Sequence, residues 1–161
     1  MTDTSAPAVP ARKPLGSTVR LLSILVIVAG LVMLAAGATT WFVVQSQLAD
    51  ERITVSEDAD RFAGKPIKGP FTAYAEAEVI EKHSLEASGG KTYAELDRED
   101  PTRQVVMTGS FLRASLFTSV VSFGVAAMAM GLGVILALVG YALLAVSRQL
   151  DAGPPASSGN A

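Results

Sequence analysis

Two stretches of this chain, Leu21 to Val44 and Leu116 to Val146, contain no charged residue, and they constrain the fold more than any other feature. A helix rises about 1.5 Å per residue, so roughly 20 residues cross a hydrocarbon core about 30 Å thick, and each block exceeds that length. A buried helix of a water-soluble protein can be apolar on every side, but seldom over such a length without one charge. Lipid offers the backbone no hydrogen-bond partner, so each block is expected to be helical despite its many Val and Ile residues. The predicted fold class is an all-α membrane protein. Two transmembrane helices, 21–44 and 116–146, are joined by a small, mainly helical extracytoplasmic segment at 45–115, with flexible cytoplasmic tails at 1–20 and 147–161.

Charge sets the expected orientation. The amino-terminal flank carries Arg12, Lys13 and Arg20 against Asp3 alone, whereas 45–115 carries thirteen acids against nine bases. Basic residues near span ends are retained on the cytoplasmic side, which predicts a multi-pass plasma-membrane protein with both termini inside. Arg148 past the second span agrees, opposed by Arg113 before it. Ala36-Gly37-Ala38 satisfies the small-residue rule for signal-peptide cleavage after Ala38. Retention is the expectation, because the apolar run continues through Trp41 and Phe42 to Val44, longer than a typical signal core and ending in interfacial aromatics. The chain has no cysteine, which excludes disulfides, a lipoprotein anchor and thiolate metal sites. An outer segment of this size then supports only a small core and is expected to draw on the membrane or a partner.

Local signals divide the connecting segment. Gln45–Asp50 is expected to continue the first helix, Arg52–Ser56 to be β-prone, and Ser56 to cap a brief helix ending at Gly64. Pro70 suits a first helical position, predicting a helix over about 71–87 stopped by Gly89-Gly90, with Phe71, Tyr74, Ala77, Ile80 and Leu85 on a broad apolar face. Thr92 and Glu95 have capping-box spacing, predicting a turn or two over 93–99. Asp100-Pro101 predicts the start of a helix that runs unbroken into the second span as a stalk.

Small residues recur at helix-packing spacing: Gly30 and Gly37 in the first span, and Gly124, Ala129, Gly131, Gly133 and Ala137 in the second. Small side chains let spans approach where apolar burial supplies no drive, so these are the candidate packing residues, between the two spans or with another span. Neither span contains an Asp, Glu, Lys, Arg or His, which argues against ion or proton transport by this chain alone. His83, the single histidine, lies near Glu76, Glu81 and Glu86; a solvated helix face accounts for it better than a metal site. Gly89-Gly90-Lys91-Thr92 lacks the spaced first glycine and preceding strand of a phosphate loop, and reads as a helix stop.

The stretches Ser46–Ser56, Gly69-Pro-Phe-Thr-Ala-Tyr74, Gly89-Gly-Lys-Thr-Tyr-Ala94 and Phe111–Ser119 resemble a family of actinobacterial two-span membrane proteins. The resemblance covers roughly 20–148. Members of that family are frequently described as aromatic ring-opening dioxygenases. That description implies a non-haem iron held by two histidines and a carboxylate, whereas one histidine per protomer does not build such a site.

The expected function is therefore that of a non-enzymatic accessory or scaffold subunit of the cell envelope. No catalytic, cofactor-binding or metal-ligating residues are assigned, and no cofactor is expected. The expected partners are the lipid bilayer and either another membrane protein or a second copy; none is nucleic acid. The alternative is a small-molecule-sensing module, with Tyr74, His83 and Tyr93 as candidate contacts.

Overall fold

The computed structural model describes residues 15–152, and these form three α-helices: α1 (Leu15–Asp50), α2 (Pro70–Ala87) and α3 (Arg103–Ala152). The described chain is helical, with an isolated antiparallel bridge between Thr54 and Pro66 in place of any strand. α1 and α3 are each long and apolar enough to cross a membrane. Their most apolar stretches are only 17 % and 11 % buried. The core helix of a water-soluble domain would have those stretches covered. α1 begins before, and α3 ends after, the spans read from charge, so both helices run into segments read as tails. The rest of those tails lies outside the described residues.

The chain divides into two compact units. In the first, residues up to Val32 of α1 pack on α3 from Leu132 onward. The buried positions are Gly16, Ser23 and Gly30 on α1, and Gly133, Gly140 and Ser147 on α3, seven residues apart on each helix. A seven-residue period returns the same face to the partner helix on every second turn. A Cβ added at Gly30 would lie 2.6 Å from the Gly133 carbonyl oxygen, and one at Gly140 would lie 2.9 Å from that of Ser23. Backbone thus meets backbone. The two buried hydroxyls do not go unpaired: Ser23 donates to the Arg20 carbonyl at 2.7 Å and Ser147 to that of Leu144 at 2.8 Å.

The second unit, Met33–Gly131, holds the rest of α1 and α3 together with α2 and its loops. The same small-residue contact recurs where Gly37 faces Ala126; a Cβ at Gly37 would sit 2.7 Å from the Ala126 carbonyl oxygen. The Trp41 and Phe123 rings then meet edge to face, centroids 4.7 Å apart. Their core continues through Leu48 and Leu116 to Val55, Ile67, Ala73 and Ala77.

α2 follows the sequence reading at both ends. Pro70 occupies its first turn, and beyond Ala87 the Gly90 N–H closes on the Leu85 carbonyl at 2.7 Å, with Gly89 and Gly90 both at positive φ (65° and 85°). Its packed face differs from the expectation. Ala73, Ala75, Ala77 and Val79 are buried, while Phe71 is 76 % and Tyr74 44 % exposed. Small residues win because α2 is covered on two sides, by α3 and by the 51–67 loop.

No helix follows Ser56. Its N–H and hydroxyl both donate to the Glu76 carboxylate, at 2.7 and 3.0 Å, so Ser56 binds the side of α2 rather than capping a local helix. The β-prone run pairs instead with the returning loop: Val55 N–H donates to the Lys65 carbonyl, and Ile67 N–H to that of Ile53. The Thr92–Glu95 contacts form, with the Glu95 carboxylate accepting from both the N–H and the hydroxyl of Thr92 at 2.8 Å. They close turns rather than a helix. Asp100 accepts from the Thr102 N–H at 2.8 Å at the entrance to α3, which runs unbroken from stalk into the apolar block.

Candidate functional site

α2 runs antiparallel to α3 within the second unit. The Tyr74 ring stands perpendicular to that of Phe117, centroids 5.6 Å apart, and the Glu81 carboxylate pairs with Arg113 at 2.7 Å. One turn further on, Ser84 packs against Gly109 closely enough to leave no room for a Cβ there. These contacts generate a concavity on each side of α2.

The first, about 570 Å³, lies between α2 and the 58–62 loop, and Phe62, Phe71, Tyr74, Glu78, Asp58 and Lys82 contribute its aromatic and charged walls. Asp58 ties the loop to the helix, 2.8 Å from the His83 ring and 3.3 Å from the Lys82 ammonium. The hydrogen bond from His83, assisted by Lys82, holds the Asp58 carboxyl below its ordinary value. The hydrogen bond between the Tyr74 phenol and the Glu78 carboxylate, and then the repulsion a second negative charge would meet there, raise the phenol above its ordinary value. The second concavity, about 390 Å³ and largely apolar, lies between α2 and the stalk and includes Ile80, Ser84, Val105 and Leu112.

The three candidate contacts read from the sequence separate. Tyr74 lines the first concavity. His83 lines the second while its ring reaches Asp58 at the edge of the first. Tyr93 belongs to neither: Arg103 lies 4.0 Å over its ring and donates to the carbonyls of Tyr93 and Leu96, at 3.3 and 2.5 Å, pinning the 91–100 loop to α3. Asp58, Phe62 and Glu78 were not singled out. Nothing local marks them, because a loop-to-helix contact some twenty residues apart leaves no periodic trace.

Of the candidate packing residues, Gly30, Gly37 and Gly133 meet backbone on the facing helix, and the Ala137 amide nitrogen would lie 2.8 Å from a Cβ at Gly30. Ala129 is half-buried. Gly124 and Gly131 are exposed, with nothing within 4 Å of a Cβ at either, so they lie off both contacts. Gly16, Ser23, Ala126, Gly140 and Ser147 were missed, although their seven-residue spacing was there to read.

Among the described residues no three His, Asp or Glu side chains converge as a metal site. The hydrogen-bonded partner of His83 is Asp58, through Nε2 at 2.8 Å. What the arrangement supplies is an aromatic and charged cleft and an apolar groove, both suited to binding. No protein-family model, no curated protein and no solved structure matches this chain.

Proposed function

We propose that this chain is a two-span membrane protein of the cell envelope, both termini cytoplasmic, serving as a non-enzymatic accessory or scaffold subunit for another membrane protein. The observation that carries the reading is the stalk. Above the apolar block, α3 leaves Val105, Phe111 and Leu112 at 53 %, 68 % and 52 % exposure, and α2 frames two of them as a groove with Ile80. Exposed apolar side chains rimmed by polar ones mark a contact surface. Purification of a tagged chain from native membranes in mild detergent tests this. A stoichiometric membrane protein that is lost on Val105→Glu plus Leu112→Glu supports the reading, and a solitary monomer contradicts it.

The cleft at Tyr74 favours a second reading, in which the 45–115 segment, the cap over the two spans, senses a small molecule. A ligand that binds only the folded form raises apparent stability, so thermal shift across a metabolite panel, repeated on Tyr74→Ala, tests it. The ring-opening dioxygenase activity implied by the family resemblance finds no support in a protein with one imidazole, and iron analysis of purified protein checks that directly.

A further inference from the structure

The antiparallel run of α2 brings its amino-terminal end down to the start of the apolar block. Tyr74 meets Phe117, the second residue of that block, and α2 continues past Tyr74 toward Phe71 for about another 4.5 Å at the helical rise. Phe71 is therefore at the level where charge disappears from α3, and it is 76 % exposed. The chain leading into it, Arg61–Phe71, carries Arg61, Lys65 and Lys68 and no acid, while the rest of 45–115 carries thirteen acids and six bases. Lys65 and Lys68 are exposed and join no ion pair among the described residues. Both are held in place: Lys65 through its carbonyl on Val55, and Lys68 between buried Ile67 and the Thr72 hydroxyl, which its N–H meets at 3.3 Å.

We infer that the Arg61–Phe71 segment is a lipid-headgroup contact: Phe71 enters the interfacial region beside the span, and Lys65 and Lys68 bind the phosphates of anionic phospholipids. Although the segment around them is predominantly acidic, Lys65 and Lys68 pair with none of its carboxylates among the described residues, which leaves both ammonium groups available to lipid phosphates. An exposed apolar ring beside basic residues matches the composition of segments that lie at the headgroup–acyl boundary. The segment thereby fixes the height and tilt of the cap over the bilayer. This inference rests on the membrane-spanning reading, and the controls below separate the two.

The chain lacks cysteine, so single-site labelling is clean. Full-length protein carrying Phe71→Cys, Glu95→Cys or Leu31→Cys would be labelled with bimane and reconstituted in phosphatidylcholine vesicles with and without phosphatidylglycerol. Quenching by spin-labelled lipids then reads depth and lipid preference. The expected result is that the label at 71 is quenched by shallow-labelled lipid, and more by labelled phosphatidylglycerol than by labelled phosphatidylcholine, while the label at 95 is reached only by aqueous iodide. Lys65→Gln and Lys68→Gln should each reduce the phosphatidylglycerol preference up to about fivefold at low salt. Iodide quenching at 71 equal to that at 95, or a lipid preference unchanged in the double lysine variant, overturns the inference. In either case a label at 31 still quenched by deep-labelled lipid leaves the spanning reading intact, whereas a label at 31 open to iodide removes both.

Discussion

Replacing Gly37 and Gly124 by leucine in turn is the same chemical change within one unit, and the structure assigns the two opposite consequences. At Gly37 a Cβ would lie 2.7 Å from the Ala126 carbonyl oxygen, 2.8 Å from Met130 Cγ and 3.0 Å from the Met130 amide nitrogen. Two of those atoms are backbone and cannot turn aside. Even a methyl must push α3 back by roughly 0.7 Å, and a gap of that size forfeits about a quarter to a half of each dispersion contact along the pair. Overpacking of this kind costs about 1–3 kcal/mol, offset by at most about 1 kcal/mol for removing glycine from a helix interior. We expect Gly37→Ala to be near neutral to mildly destabilising and Gly37→Leu to cost about 3 kcal/mol. Gly124 meets nothing within 4 Å, so Gly124→Leu should be neutral or slightly stabilising. The sole tryptophan, Trp41, meets Phe123 edge to face one turn from Gly37, so its emission during detergent-to-SDS unfolding reports the local contact. Equal shifts for the two leucine variants would refute the close-contact reasoning.

Three further outcomes are expected. Glu76→Ala removes the acceptor for both the N–H and hydroxyl of Ser56 and should destabilise the cap by about 1–3 kcal/mol, seen as an earlier thermal transition in circular dichroism. Arg103→Ala frees the 91–100 loop from two carbonyl contacts and the Tyr93 ring; amide exchange there should speed up while α2 keeps its protection. Asp58, Glu95 and Asp100 are all held below their ordinary values, 3.8 for Asp and 4.5 for Glu, by His83, by the Thr92 backbone N–H and by the Thr102 hydroxyl respectively. A depressed carboxylate contributes stability that is fully present above its unfolded value and is lost as pH falls through its folded one. The melting temperature should therefore hold above these ordinary values and fall below them, less steeply in Asp58→Asn.

How much of this was legible beforehand depends on the range of the interaction. The two apolar helices, the Pro70 start and glycine stop of α2, and the unbroken run of α3 follow from local composition and capping, and they appear in the structure. The helix expected after Ser56 fails because its capping group is claimed by Glu76, twenty residues away. The broad apolar face expected on α2 holds at Ala77 and Ile80 and departs at its aromatics: Phe71 and Tyr74 have the size for a core, but two covering surfaces select alanine. The packing glycines were half legible. Gly30 and Gly37 continue the seven-residue series of Gly16 and Ser23, and Gly133 that of Ala126, Gly140 and Ser147; Gly124 and Gly131 are also seven apart but two residues out of phase, and it is the tertiary contact that selects the phase.

The proposed topology, two spans with the 45–115 segment outside and both ends inside, is open to a direct accessibility test in intact cells. With no native cysteine, Glu95→Cys and Ser157→Cys each present one thiol to a membrane-impermeant maleimide. With the proposed topology, residue 95 is labelled in intact cells and residue 157 only after permeabilisation. The reverse pattern would invert the topology, and labelling of both sites in intact cells would contradict a two-span arrangement.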